Sequence, residues 1–292
     1  MSLPRATVCL SFDFDALSVW IGPRGAQSPS ATSRGEFAVV GVQRVLKVLA
    51  ARGIQATFYI PGHTVETYPA AVHQILAAGH EIGHHGYLHE NPVSLPTRDE
   101  ERRVIERGLK AISDVAGIAP VGYRSPSWDN SPHTIELLLE YGFRYESSLM
   151  ADDFTPYWCR VGDVLHTDRA AEFGQTVDLV EMPVSWVLDD FPHFEFVRSG
   201  NNLFPGLSAA SKVEEIWRDE FAFMYREVPH GVYTLTMHPE IIGRGHRMLM
   251  LERLIEWMTG HEGVEFARIG DVAEAWRNSA DAPSRQRSDV DA

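Results

Sequence analysis

Residues 7–15 read Thr7-Val8-Cys9-Leu10-Ser11-Phe12-Asp13-Phe14-Asp15. A short run that is apolar nearly throughout and ends in acid is the pattern of a buried strand with carboxylates at its C-terminal end. Residues two apart in a strand share a face, so Asp13 and Asp15 point together. Two carboxylates this close repel each other unless something positive lies between them. A divalent cation removes that cost.

Outward from this strand, helical and strand patterns alternate. A helix is expected over about 38–52, closed by Gly53, then a strand at 54–60 stopped by Pro61-Gly62. A helix at about 65–78 ends at Gly79, and a short strand at 80–84 leads into His85-Gly86-Tyr87-Leu88-His89. Thr97 and Glu100 have the spacing of a capping box, which starts a long helix running to about 116. Residues 121–125 read as strand, and Ser131-Pro132 as the start of a helix running to about Tyr141. Strand signals recur near 144–149, 178–187 and 231–237, and helices fit 211–227, 247–259 and 270–277. About seven parallel βα units without an internal linker predict an α/β fold, a distorted (β/α)7-type barrel in a single domain over 1–277. Residues 278–292 read as a polar, flexible tail. Residues 16–36, rich in Gly, Pro and Ser, form a long connection directly after Asp15. Such loops are often functional, so this one is expected to wall or cover a site, with Trp20 as a substrate contact.

The formal net charge of −14 argues against nonspecific contact with nucleic acid or anionic membranes. No apolar run approaches the ~18 residues of a membrane span. The N-terminal residues show no secretion signal, and a cytoplasmic location is expected. Cys9 and Cys159 form no metal or redox motif.

His85 and His89 are four residues apart, which on a helical turn places them on one face. Together with Asp15 they make a three-ligand site with a position left for water, and Asp13 is free to act as a base. His80 and His84 are read as structural neighbours rather than ligands, because four histidines would close the site. Arg124, in Gly122-Tyr123-Arg124-Ser125-Pro126-Ser127-Trp128, can hold a carboxylate base by paired hydrogen bonds, and Trp128 can wall a pocket. His238 ends the apolar run Leu235-Thr236-Met237 and is the candidate general acid.

Together and in this order, these motifs resemble the polysaccharide deacetylase family, the NodB-homology or carbohydrate esterase family 4 fold, over roughly residues 7–275. By that resemblance Asp13 is the catalytic base, and Asp15, His85 and His89 are the metal triad. Arg124, Pro126 and Trp128 match an Arg-x-Pro-x-Trp motif whose arginine orients the base, and His238 is the general acid. The chain departs from the family in Phe14, which separates the aspartates, and in Gly86, where Ser or Thr usually stands. The motif that tunes His238 is not evident; residues 146–150 occupy its approximate region. The variant pattern is similar to a subgroup with peptidoglycan deacetylase-like and cyclic imide hydrolase-like members, which implies a homotetramer without a secretion signal. The resemblance implies a zinc-dependent hydrolase of non-peptide C–N bonds, with cobalt or manganese as alternative ions, that removes N-acetyl groups from an amino sugar. The alternatives are a small cyclic imide or ureide as substrate and, remotely, a non-catalytic carbohydrate-binding relative. The expected substrate is a sugar or other small molecule, and no nucleic acid or membrane partner is expected.

Overall fold

A computed structural model describes residues 4–199 and 202–279. Its strands are β1 (Ala6–Asp13), β2 (Thr57–Ile60), β3 (Glu81–His84), β4 (Gly122–Tyr123), β5 (Tyr145–Glu146), β6 (Tyr157–Val161), β7 (Gln175–Glu181), β8 (Phe196–Ser199), β9 (Asn202–Pro205), β10 (Gly231–Met237) and β11 (Val264–Phe266). The main sheet has the order β10-β1-β2-β3-β4-β5-β7-β6. All of its neighbours pair parallel except β6, which returns antiparallel to β7. The seven parallel strands are the distorted (β/α)7 barrel that the alternating pattern predicts. Short β11 pairs with β1 at Ala6–Val8, while β2 pairs with β1 only at Ser11–Asp13. The ring narrows where Asp189, beyond β7, bridges in parallel to Thr236 of β10.

β1 is buried on both faces, and its alternation separates two environments. Val8, Leu10, Phe12 and Phe14 join the large cluster beneath the helices, whereas Cys9 packs with Tyr59 and Tyr145. Ser11, Asp13 and Asp15 continue the Cys9 face by the period of two. Their side chains therefore line the barrel axis and converge at its C-terminal mouth, where parallel barrels carry their chemistry.

Thr97 is the N-cap of helix Arg98–Ala116: its hydroxyl accepts from the Glu100 backbone and donates to the Glu100 carboxylate. Helix Ala38–Arg52 ends at Gly53 as expected. The single helix expected over 65–78 is instead two, Gly62–Thr67 and Pro69–Ala77. The break falls at Tyr68, because proline disfavours helical geometry in the residue before it. Residues 16–36 are also more ordered than a loop: they contain helices Ser18–Ile21 and Pro29–Glu36, the second capped by Ser28. The strand expected near 178–187 is β7, shifted a few residues earlier, whereas β6, the β8–β9 hairpin and β11 are elements the sequence pattern did not reveal. Of the expected tail, residues 280–292 lie outside the described residues.

Helix Ala38–Arg52 is pressed backbone to backbone against helix Pro239–Ile242, the turn that follows His238. A Cβ built on Gly41 would stand 1.9 Å from the Pro239 carbonyl oxygen, and one on Gly243 would stand 2.5 Å from the Gly41 Cα. These contacts involve main chain on both sides, so no rotamer change relieves them. Gly41→Ala is therefore expected to cost about 1–3 kcal/mol as an overpacking substitution. Urea melts of both proteins measure this; an unchanged midpoint would show that the two helices are free to separate.

Candidate active site

The barrel mouth holds a cavity of about 350 Å³ lined by Asp13, Asp15, His85, His89 and His238 among others. Arg124 organises its floor. The guanidinium is fully buried and makes four hydrogen bonds: Nη1 donates to Asp13 Oδ1 (2.8 Å) and Ser11 Oγ (2.9 Å), Nε donates to the Ser147 carbonyl (2.9 Å), and Nη2 donates to Ser147 Oγ (2.9 Å). It also lies 4.2 Å over the Tyr59 ring. Burial pushes the Asp13 carboxyl up, but the charge of Arg124, helped by His85 and His238, outweighs burial and holds it below its ordinary value. Asp13 is thus an ionised base near neutral pH.

The backbone of Arg124 matters as well. Its carbonyl accepts from His85 Nδ1 at 2.7 Å, so the proton sits on Nδ1 and the Nε2 lone pair faces the cavity. His85 Nε2 lies 3.4 Å from Asp15 Oδ1, and His89 Nε2 lies 3.4 Å from Asp15 Oδ2. Burial drives His89 down to about 4, which makes it a neutral donor at pH 7. The Asp15 carboxylate is fully buried, and neither oxygen accepts a hydrogen bond among the described residues. An orphaned buried carboxylate is costly, and two imidazole lone pairs beside it provide no proton to relieve that cost. A divalent cation does. The 3.4 Å spacings match donors that share a tetrahedral ion at roughly 2.0–2.1 Å. Asp15, His85 and His89 therefore fit a metal site.

The expected helical turn through the two histidines is absent. Residues 85–91 are irregular, and Gly86 (φ 70°) and His89 (φ 57°) both adopt left-handed backbone. Glu90 holds this turn by accepting from the backbone N–H groups of Tyr87 (3.1 Å) and Leu88 (2.7 Å). The imidazoles meet through that turn, at 5.1 Å between ring centroids, rather than through helical periodicity. His80 and His84 are structural as expected: His80 Nδ1 accepts from Ala56 N, and buried His84 Nε2 meets the Ile105 carbonyl.

On the opposite wall, His238 Nδ1 is 2.7 Å from Asp190 Oδ1 and 3.6 Å from Asp189 Oδ1, and its Nε2 faces the cavity 3.8 Å from Asp15 Oδ2. Burial alone would lower the His238 pKa. The charges of Asp189 and Asp190 and the Asp190 hydrogen bond overturn that effect and hold it well above the ordinary histidine value. The residues that tune His238 are thus Asp189 and Asp190, not one in 146–150. That stretch serves Arg124 instead, through Ser147. Asp189 and Asp190 close the apolar strand signal of 178–187, just as Asp13 and Asp15 close that of β1, and the same reading would have found them.

Trp128 lines the cavity as expected and packs against Trp186 with ring centroids 4.5 Å apart. Trp186 was not anticipated. Trp20 does not reach the cavity. It is 4% exposed and lines a second cavity of about 150 Å³. Successive helical positions point about 100° apart, so Val19 faces the site while Trp20 turns away.

The polysaccharide deacetylase sequence profile matches residues 35–146. A peptidoglycan deacetylase of Helicobacter pylori is 39% identical over 279 residues, covering 91% of this chain and 94% of that protein. A peptidoglycan deacetylase-like protein of Gibberella zeae is 30% identical, covering 96% and 89%. Among solved structures, one assigned to the polysaccharide deacetylases from Mycobacterium smegmatis superposes with a TM-score of 0.85 at 34% identity, covering 100% of this chain and 96% of that one. PuuE allantoinase shares the fold with a TM-score of 0.77 at 22% identity, covering 95% and 92%.

The Arg124–Asp13 pair sets a stability test. Arg124→Met leaves a buried carboxylate unpaired and is expected to cost about 3–5 kcal/mol. Adding Asp13→Asn should recover part of that loss. Chemical denaturation of the two single variants and the double variant checks the coupling; additive losses would show that the pair does not interact.

Proposed function

This chain belongs to the polysaccharide deacetylase family, and from that premise we propose that its barrel-mouth cavity hydrolyses the N-acetyl amide of an amino sugar, with Asp13, Arg124 and His238 as catalytic machinery and Asp15, His85 and His89 as metal ligands. The observation that carries the reading is the orphaned Asp15 carboxylate, flanked by two imidazole Nε2 atoms, in one cavity with a base held by arginine and a histidine backed by aspartate. The relatives named for peptidoglycan deacetylation point to a sugar of a cell-wall glycan as the substrate class. Zinc is the ion we assign, since one carboxylate and two imidazoles form a three-ligand donor set suited to it. A cytoplasmic homotetramer is the assembly and location carried by the family resemblance.

When bound, the divalent cation polarises the amide carbonyl and acidifies water. The protein's own groups move the protons. Asp13, ionised and fixed by Arg124, accepts a proton from the attacking water. His238 holds a proton on Nε2, facing the cavity, and delivers it to the departing nitrogen as the C–N bond breaks. Asp190 holds the opposite ring nitrogen, which sets the orientation and the charge of that acid. Trp128 and Trp186 form an aromatic wall on which a sugar ring can lie.

One observation favours a second reading, a small cyclic imide or ureide. The cavity of about 350 Å³ lies near the lower end of the ~300–1,000 Å³ typical of ligand pockets and suits a single ring better than an extended chain. Assays of the zinc-loaded protein with N-acetylglucosamine oligomers, succinimide and hydantoin separate the readings: acetate release supports the first and ring opening the second. Within either reading, Asp13→Asn is expected to keep its metal and lose about 10²–10⁴-fold in turnover. His85→Ala is expected to lose the metal. Metal analysis decides; a metal-free Asp13→Asn protein would make Asp13 a ligand.

A pH profile tests the acid. Activity requires protonated His238, so it falls as pH rises through that group's raised pKa. Asp190→Asn removes one charge that raises it, so the alkaline limb of kcat/KM should move to lower pH by about 1–3 units. An unmoved limb would assign it to another group.

A further inference from the structure

Arg24 is the one arginine among the described residues that lines the site cavity. It is half-buried, and its only hydrogen bond among the described residues runs from Nη1 to the Val19 carbonyl at 3.1 Å. No carboxylate lies within 4.0 Å of it among those residues, although most of the chain's other half-buried arginines have such a partner or a backbone clamp. Its guanidinium carbon lies 5.1 Å from the Trp20 ring centroid and 5.2 Å from that of Phe191. Trp20 is held in turn by Arg34, 4.4 Å over its ring. The aromatic contacts fix the plane of the Arg24 fork without satisfying its N–H groups. A half-exposed guanidinium flanked by two aromatic rings, with donors open at the rim of a cavity, is placed to take a planar anion through paired hydrogen bonds.

We propose that Arg24 is a specificity-determining residue that binds a carboxylate on the substrate, so that the preferred substrate is an acylated amine carrying a carboxylate within one ring's span of the scissile amide. This rests on the amidase reading of the cavity and narrows it. It also gives Trp20 a part: this side chain does not touch substrate but positions the arginine that does.

The test uses N-acetylmuramic acid and its methyl ester, which share ring and acetamido group and differ in one carboxylate charge. Calorimetric titration of the full-length protein is expected to show at least tenfold tighter binding of the acid than of the ester. Arg24→Met should remove that difference, and Arg24→Lys should restore part of it, since a point charge replaces the fork. In turnover, Arg24→Met should lower kcat/KM for the acid at least tenfold more than for the ester. No binding of the acid, equal binding of acid and ester by the parent protein, or equal weakening of both by Arg24→Met overturns the proposal. The two readings fail separately. Charge-selective binding without acetate release from either sugar defeats the deacetylase reading and leaves Arg24 as the anion site. Acetate release from acid and ester alike, in parent and variant, does the reverse.

Discussion

A guanidinium buried in a protein interior costs several kcal/mol unless its donors are satisfied and its charge is met. Arg124 meets both conditions by reaching three strands at once. Its side chain ties Ser11 and Asp13 of β1 to Ser147, just past β5, and its carbonyl fixes the tautomer of His85, just past β3. Asp13, His85 and the barrel rim are therefore positioned by one residue. The arrangement also explains why the floor tolerates so much polarity: Ser11, Asp13 and Arg124 form a closed hydrogen-bonded set on the inner face of a strand whose other face is wholly apolar.

Two aspartates separated by one residue do different work because their surroundings differ. Asp13 has a permanent cation at 2.8 Å and is satisfied without any ligand. Asp15 has no hydrogen-bond partner among the described residues and faces the Nε2 atoms of His85 and His89, a set of donors that a bound cation would fit. The insertion of Phe14 between them is consistent with this division. It packs in the outer core against Tyr68, and its presence keeps both acids on the inward face, where adjacent aspartates in an extended strand would point to opposite sides.

The cavity walls come from segments outside the regular βα repeat. Residues 18–24, following β1, bring Val19 and Arg24 to one side, and residues 186–197 bring Trp186, Asp189 and Phe191 to the other. The second segment also narrows the ring through the Asp189–Thr236 bridge, so the part that shapes the substrate site is the part that completes the barrel.

Periodicity and order along the sequence determined the barrel, the inward stripe of β1 and which acids and histidines gather at its mouth, because burial on alternating faces and the strand-end placement of acids and histidines are local consequences of backbone geometry. Arg124 was legible for the same reason: a charge at the end of a buried strand must find a counter-charge nearby. Only the tertiary structure decided how His85 and His89 meet, since left-handed residues at Gly86 and His89 override the spacing that suggests a helical face. It also decided that Asp190 supports His238 across 48 residues, that Trp20 packs against Arg24 rather than lining the cavity, and that β6 returns antiparallel at the sheet edge. Those outcomes depend on which segments pack together at the barrel mouth. Contacts between residues distant in the chain leave no periodic mark on it.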